Sequence, residues 1–141
     1  MLQTPASLLD RRHLHSGLLD AAQRQQVAVF IRSVFLQGLL LIPDSQLQPD
    51  LQDAAGPRRQ LEAIAAEAGM SLQELALRFV ASLKGVTSVV VGVDRLEQFQ
   101  SNLDAINRGP LDDDLVERLL TLSWDVSERT ITPHMWNNRW Q

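Results

Sequence analysis

The sequence predicts an α/β fold built on parallel strands, and three observations carry that reading. Residues 27–31 and 86–93 are near-continuous apolar runs rich in β-branched side chains, the pattern of strands buried on both faces. Segments with helical periodicity lie between and after them, which is the order of strand-helix units with right-handed crossovers. Finally, 141 residues with 45% apolar and 21% charged side chains suit one globular domain, residues 1–141, with a core of its own.

Taken in order, a short strand is expected at residues 2–6, although Pro5 removes a ladder donor there. A helix over 18–26 leads into the strand at 27–31, and the Gly and Pro residues between Gly38 and Pro49 mark a loop. Pro57, just after Gly56, suits the first position of a helix whose Leu61, Ile64, Ala65 and Ala68 share a face, with Gly69 as its stop. Ser71 and Glu74 have capping-box spacing ahead of Leu72, Leu75, Ala76, Phe79, Val80 and Leu83. That helix ends near Gly85 and feeds the strand that closes at Gly92. Asp94 is placed to cap a helix running to Asn107, Gly109 and Pro110 stop it, and Asp112 opens a last helix through Ser123. Three parallel strands flanked by five or six helices leave two sheet edges open, so the chain looks incomplete by itself.

Composition narrows the function. Cysteine is absent, which excludes disulfides, a thiolate nucleophile and thiolate metal sites. A net charge of -4 argues against nucleic acid or an anionic membrane as the main partner. The early Arg11, Arg12, Arg24 and Arg32 and the late Asp112, Asp113 and Asp114 read as solvated faces. No apolar run approaches the roughly 20 residues of a membrane span and no export signal opens the chain, so a cytoplasmic location is expected.

Three stretches carry chemistry. Residues 31–41 read I-R-S-V-F-L-Q-G-L-L-L, residues 92–103 read G-V-D-R-L-E-Q-F-Q-S-N-L, and Gln3 precedes L-L-D-R-R at 8–12. A strand ending in Gly92 before a helix presents backbone N–H groups and a positive helix end to a phosphate, with Arg95 in reach of it. The plain alternative is that Arg95 pairs with Glu97 or solvent and that Gln98 and Asn102 are surface residues.

In order and spacing, these stretches resemble the sixth, seventh and eighth strands of the aldo/keto reductases and the segments after them. The resemblance covers nearly the whole chain. It implies the C-terminal part of a (β/α)8 TIM barrel: strands six and seven with their loop in 1–56, a helix pair, strand eight and the cofactor helix in 57–109, and a final helix and tail in 110–141. It further implies NADP (NADPH) as cofactor, with Arg95 on the adenosine 2′-phosphate and Gln98 and Asn102 on the adenine. Gly92 and Val93 would lie at the end of strand eight, Arg32 would stack on the nicotinamide, Ser33, Phe35 and Gln37 would line the pyrophosphate and ribose, and Gln3 would bind the carboxamide. Phe35 fits core packing equally well.

The family reduces carbonyls with a tyrosine acid aided by a lysine, an aspartate and usually a histidine, all on earlier strands. This sequence has no tyrosine, and its one lysine, Lys84, falls in a loop, so no catalytic residue is assigned. His13 and His15 with Asp10 are too sparse for a zinc site, and no metal is expected. His134 lies in a tail with Trp124, Trp136 and Trp140 that is expected to pack on the body; the family's tail borders the substrate pocket. The reading is therefore an NADP-binding portion of an oxidoreductase for carbonyl/alcohol interconversion, inactive alone. Two alternatives stand beside it. One is a non-catalytic half-barrel that assembles with itself or with a missing N-terminal half. The other is a DNA-binding helix-turn-helix over 61–79 that presents Gln73, Glu74 and Arg78.

Overall fold

The computed structural model describes residues 1–136. Three strands, β1 (Leu2–Pro5), β2 (Val29–Arg32) and β3 (Ser88–Val89), form one parallel sheet in the order β1-β2-β3. Register pairs Gln3 with Phe30 and Phe30 with Ser88. Five α-helices accompany the sheet among the described residues: α1 (Leu18–Arg24), α2 (Ala55–Glu67), α3 (Leu72–Ser82), α4 (Leu96–Asn107) and α5 (Asp113–Thr121). Short 3-10 turns fill Leu36–Gly38, Asp44–Gln46, Pro49–Ala54 and Pro133–Met135. None of these helices is long and apolar enough to cross a membrane.

Strand alternation divides the sheet into two unlike faces. Thr4, Val29 and Ile31 are buried and belong to the face under the helices, whose core includes Leu61, Leu75, Phe79, Val80 and Leu119. Gln3 and Arg32 are exposed on the opposite face, where Phe30 is only half-buried. Val90, whose N–H continues the ladder to the Ile31 carbonyl at 2.7 Å, is exposed as well. That face is only partly covered: Pro5 and Phe30 are half-buried, and His134 and Met135 stand across a cavity from Arg32. On the outside, α4 leaves Leu96, Phe99, Leu103 and Ile106 exposed at helical spacing, and Leu96 is 75% exposed.

Several boundaries differ from the sequence expectations. The third strand is confined to Ser88–Val89, opposite Phe30 and Ile31, with the Thr87 and Val90 N–H groups extending the ladder to the Val29 and Ile31 carbonyls at 2.8 and 2.7 Å. Pro57 is not the first helical residue: the 3-10 turn Pro49–Ala54 runs into α2, so Pro57 falls inside the first turn, where its missing N–H costs nothing. Asp94 does not cap α4; Arg95 is the capping position, one residue later. Ser71 does cap α3, accepting the Glu74 N–H at 3.1 Å, but Glu74 turns away to pair with Arg78 and Arg108.

The L-L-D-R-R segment fastens the C-terminal segment to the body. Arg11 is buried and donates to the Leu8 and Leu122 carbonyls at 2.8 Å each, with its guanidinium 4.8 Å from the centre of the Trp124 ring. Burial pulls its pKa down to about 10, so it stays charged at neutral pH and relies on those partners. Arg12 grips the buried Asp10 with two nitrogens and reaches Thr132 and the Ile131 carbonyl. Trp136 is buried and donates to the Arg129 carbonyl at 3.0 Å. Trp124 and Trp136 thus pack as expected; Trp140 lies outside the described residues.

Candidate cofactor site

At the C-terminal ends of β2 and β3, the chain after β2 and the start of α4 enclose a cavity of about 470 Å3. Such strand ends are where α/β barrels place their sites. Six of the residues singled out from sequence line it: Ser33, Phe35, Gln37, Gly92, Gln98 and Asn102. Phe35 serves both expectations, since it lines the cavity and packs against the core.

The backbone after β2 is unusual. Ser33 (φ 62°), Leu36 (φ 47°) and Gln37 (φ 52°) all occupy left-handed conformations without being glycine. Such residues cost free energy and persist where the surroundings impose them, which is typical of ligand-contacting loops. Here the Leu36 and Gly38 N–H groups donate to the Ser33 and Phe35 carbonyls at 3.0 and 2.9 Å. The fully buried Arg58 of α2 adds a hydrogen bond from Nε to the Leu40 carbonyl at 3.0 Å. Its remaining nitrogens bind Asp44 and Glu62, while Arg59 holds the other Asp44 oxygen at 2.6 Å.

At the α4 start, Gln98 Oε1 accepts from the Asp94 N–H at 2.9 Å and the Arg95 N–H at 3.3 Å. Those two amides are therefore committed to the cap. The Arg95 guanidinium remains exposed, with no hydrogen bond or ion pair among the described residues, so the pairing with Glu97 is not formed. Asn102 is only 6% exposed, and its Oδ1 accepts from Gln73 Nε2 at 2.8 Å.

The other residues fall elsewhere. Arg32 lines a second cavity of about 360 Å3 that shares Ser33 and Gln37 with the first and is bordered by Arg12, His134 and Met135. Gln3 is exposed on β1, and Val93 and Arg95 are exposed beside the first cavity without lining it. His13 and His15 line neither cavity, and the described residues contain no group of three potential metal ligands. Lys84 is exposed in the turn before β3, at the far end of the sheet. A larger, open groove of about 920 Å3 between α2, α3 and α4 sets Glu74, Glu97 and Asp104 against Arg108 and contains none of the residues singled out for the cofactor.

Sequence reasoning missed Gln73. It appeared only as an exposed position of a DNA-reading helix, whereas it lines the first cavity and holds Asn102. Glu74 and Arg78 of that helix are likewise engaged, with each other and with the end of α4.

An open glycine provides a further fit. Nothing lies within 4 Å of where a Cβ on Gly92 would stand, so the backbone at the cavity wall is open to close approach by a ligand.

The family model for the aldo/keto reductases matches residues 1–123. L-glyceraldehyde 3-phosphate reductases of Escherichia coli O157:H7 and of strain K12 are each 32% identical over 124 residues, covering 74% of this chain and 36% of the relative. The chain thus spans little more than a third of the length of these curated relatives. Among solved structures, the apo and holo forms of aldo-keto reductase AKR11C1 from Bacillus halodurans align with TM-scores of 0.69 and 0.67 at 22% and 23% identity. Each covers 92% of this chain, which in turn covers 45% and 44% of theirs. That likeness is one of fold.

Proposed function

The chain belongs to the aldo/keto reductase family of oxidoreductases, and on that premise we propose that it binds NADP (NADPH) across the two cavities at the ends of β2 and β3. The observation that carries the reading is the gathering of Ser33, Phe35, Gln37, Gly92, Gln98 and Asn102, far apart in sequence, around one cavity of about 470 Å3. That volume is within the range of small-molecule sites.

In this reading the adenine lies against Gln98 and Asn102, and the unpaired Arg95 meets the 2′-phosphate, for which its planar fork of donors is suited. Ser33, Phe35 and Gln37 border the pyrophosphate and ribose, and Gly92 and Val93 admit the backbone close to them. Arg32 stands beside the second cavity, where its plane stacks on the nicotinamide, and Gln3 meets the carboxamide. The cofactor, when bound, supplies a hydride for carbonyl/alcohol interconversion. This chain's residues bind and orient it; none here supplies the tyrosine acid, so the chain alone is proposed to be inactive, a binding portion of a reductase.

Equilibrium titration of the chain with NADPH, followed by nucleotide fluorescence, tests this. Saturable binding is expected, and a well-folded chain with no affinity for NADPH or NADH sinks the proposal.

A second reading is favoured by the partly exposed sheet face with Gln3, Phe30 and Val90 and by the exposed Leu96, Phe99, Leu103 and Ile106 of α4. Apolar surface of this kind is covered in stable proteins. The occupant that fits is a set of further parallel strands and helices, from another chain or a second copy, that extends the sheet toward a closed barrel. Concentration-dependent mass in sedimentation is the corresponding measurement.

A further inference from the structure

We propose that the exposed apolar stripe of α4 is the seam of a homodimer, in which this helix pairs antiparallel with its copy about a two-fold axis passing close to Ser101. The inference does not depend on nucleotide binding. It shares with the second reading above the premise that the stripe is covered, and goes further, to the occupant and its register.

The stripe is narrow and regular. Leu96, Phe99, Leu103 and Ile106 are 75%, 49%, 39% and 39% exposed, and their spacing puts all four within about 80° of one another around the helix. Such spacing is that of a seam between two packed helices. None of the four lines the cavity at the ends of β2 and β3, to which α4 contributes Gln98 and Asn102. Seam and cavity therefore use different sides of the helix.

The arrangement around Ser101 suits a second copy of the same helix. Leu96 and Ile106 lie five residues before and after it, and Phe99 and Leu103 two residues before and after. A two-fold axis there sets Leu96 level with Ile106 of the second copy and Phe99 level with its Leu103, and each of these apolar pairs forms twice. A contact of this kind is closed and stops at two chains.

Charge fixes the direction. Glu97 and Asp104 line the groove toward α2 and α3 together with Arg108, away from the stripe, and the exposed Gln100 and Asn107 beside it are neutral. Antiparallel pairing holds the two Arg95 residues about 18 Å apart along the seam and opposes the helix dipoles, whereas parallel pairing sets the guanidiniums together and aligns the dipoles. Four side chains are far fewer than the roughly 20–30 residues a standard interface engages on each side, so dissociation in the micromolar range is expected.

Sedimentation equilibrium of the full chain across that range should show a monomer-dimer equilibrium. Because the chain has no cysteine, introduced ones report the register. Leu96→Cys mixed with Ile106→Cys should form a mixed disulfide under copper-phenanthroline. Neither variant alone should cross-link, since like positions lie about 15 Å apart along the seam and a disulfide needs Cβ atoms about 4 Å apart. Self-linkage of Leu96→Cys overturns the antiparallel seam. A dimeric mass without the mixed disulfide overturns the inference and leaves assembly through the sheet standing. Monomer at every concentration overturns the inference and leaves the stripe to a different chain. As a further arm, Leu103→Glu changes an exposed position and should weaken dimerisation by about tenfold or more with unchanged circular dichroism. A folded variant that dimerises as the parent does removes Leu103 from the seam and overturns the proposed register.

Discussion

Arg58 Nε donates to the Leu40 carbonyl at 3.0 Å, so a helix that follows the cavity loop in sequence holds that loop in place. Arg58 is 1% exposed, and its guanidinium serves Leu40, Asp44 and Glu62 together, which a lysine's single nitrogen cannot reproduce. Arg58→Leu should cost about 1–3 kcal/mol, mainly from leaving the Leu40 carbonyl without its donor because Asp44 and Glu62 keep access to water, read as a lower urea midpoint at unchanged slope. Arg58→Lys should lie between the two. Because Ser33, Leu36 and Gln37 sit in left-handed conformations upstream of Leu40, both variants should also weaken NADPH binding. Full stability in Arg58→Leu would mean that the loop holds itself.

Arg95 stands exposed beside the cavity with no partner among the described residues. Replacing it with Ala should therefore leave stability nearly unchanged. On the proposed 2′-phosphate role, Arg95→Ala weakens NADPH by about tenfold, or 1.4 kcal/mol, and leaves NADH nearly untouched. Raising the salt concentration should shrink the difference, because an exposed ion pair is screened. Equal losses for both nucleotides would refute the role.

Asp53 ties the C-terminal segment down: it accepts from Thr130 Oγ1 at 2.6 Å and from the Ser127 N–H at 2.8 Å. Burial raises its pKa, but the hydrogen bonds from Thr130 and Ser127 outweigh that and hold it below the ordinary carboxylate value. A depressed folded pKa contributes stability that is present above the unfolded value, about 3.9, and lost as pH falls through the folded one. The segment with Trp136 should therefore loosen in acid below about pH 4, seen as a change in tryptophan emission. Asp53→Asn should cost about 1 kcal/mol at neutral pH, given partial solvent access, and should flatten that acid step. An acid transition identical in the variant would assign the step to other groups.

What could be read from the sequence was local in origin. Gly69, with φ 70°, ends α2 as a left-handed glycine should, and Ser71 caps α3 through its own hydroxyl three residues from the N–H it serves. Ser33, Leu36 and Gln37 were different: nothing in their identity announces a left-handed backbone, which is imposed by contacts such as Arg58 to Leu40. The start of α4 was misplaced because Gln98 reaches back to cap it, so the helix does not need Asp94. Val90 to Val93 have the composition of a strand, but pairing is decided by the neighbour and not by propensity. Gln73 was invisible as a site residue because its role depends on α3 lying against α4, 29 residues away at Asn102.

Two glycines near β3 separate folding from binding. Gly85 has φ 88°, and a Cβ there would stand 3.0 Å from the Leu19 carbonyl oxygen, a backbone atom of α1 that cannot swing aside. Gly85→Ala should cost about 1–3 kcal/mol through backbone strain and that contact together. Gly92 has no left-handed φ, and its Cβ position is open. Gly92→Ala should therefore change stability by less than about 0.5 kcal/mol. Its added methyl would nonetheless occupy space at the cavity wall that the backbone leaves open to a ligand. Thermal melts and NADPH titrations of the two variants should thus come apart: Gly85→Ala melts early yet binds when folded, while Gly92→Ala melts normally and binds weakly. A Gly92→Ala variant that binds NADPH as the parent does would remove Gly92 from the site and shift the nucleotide toward the second cavity.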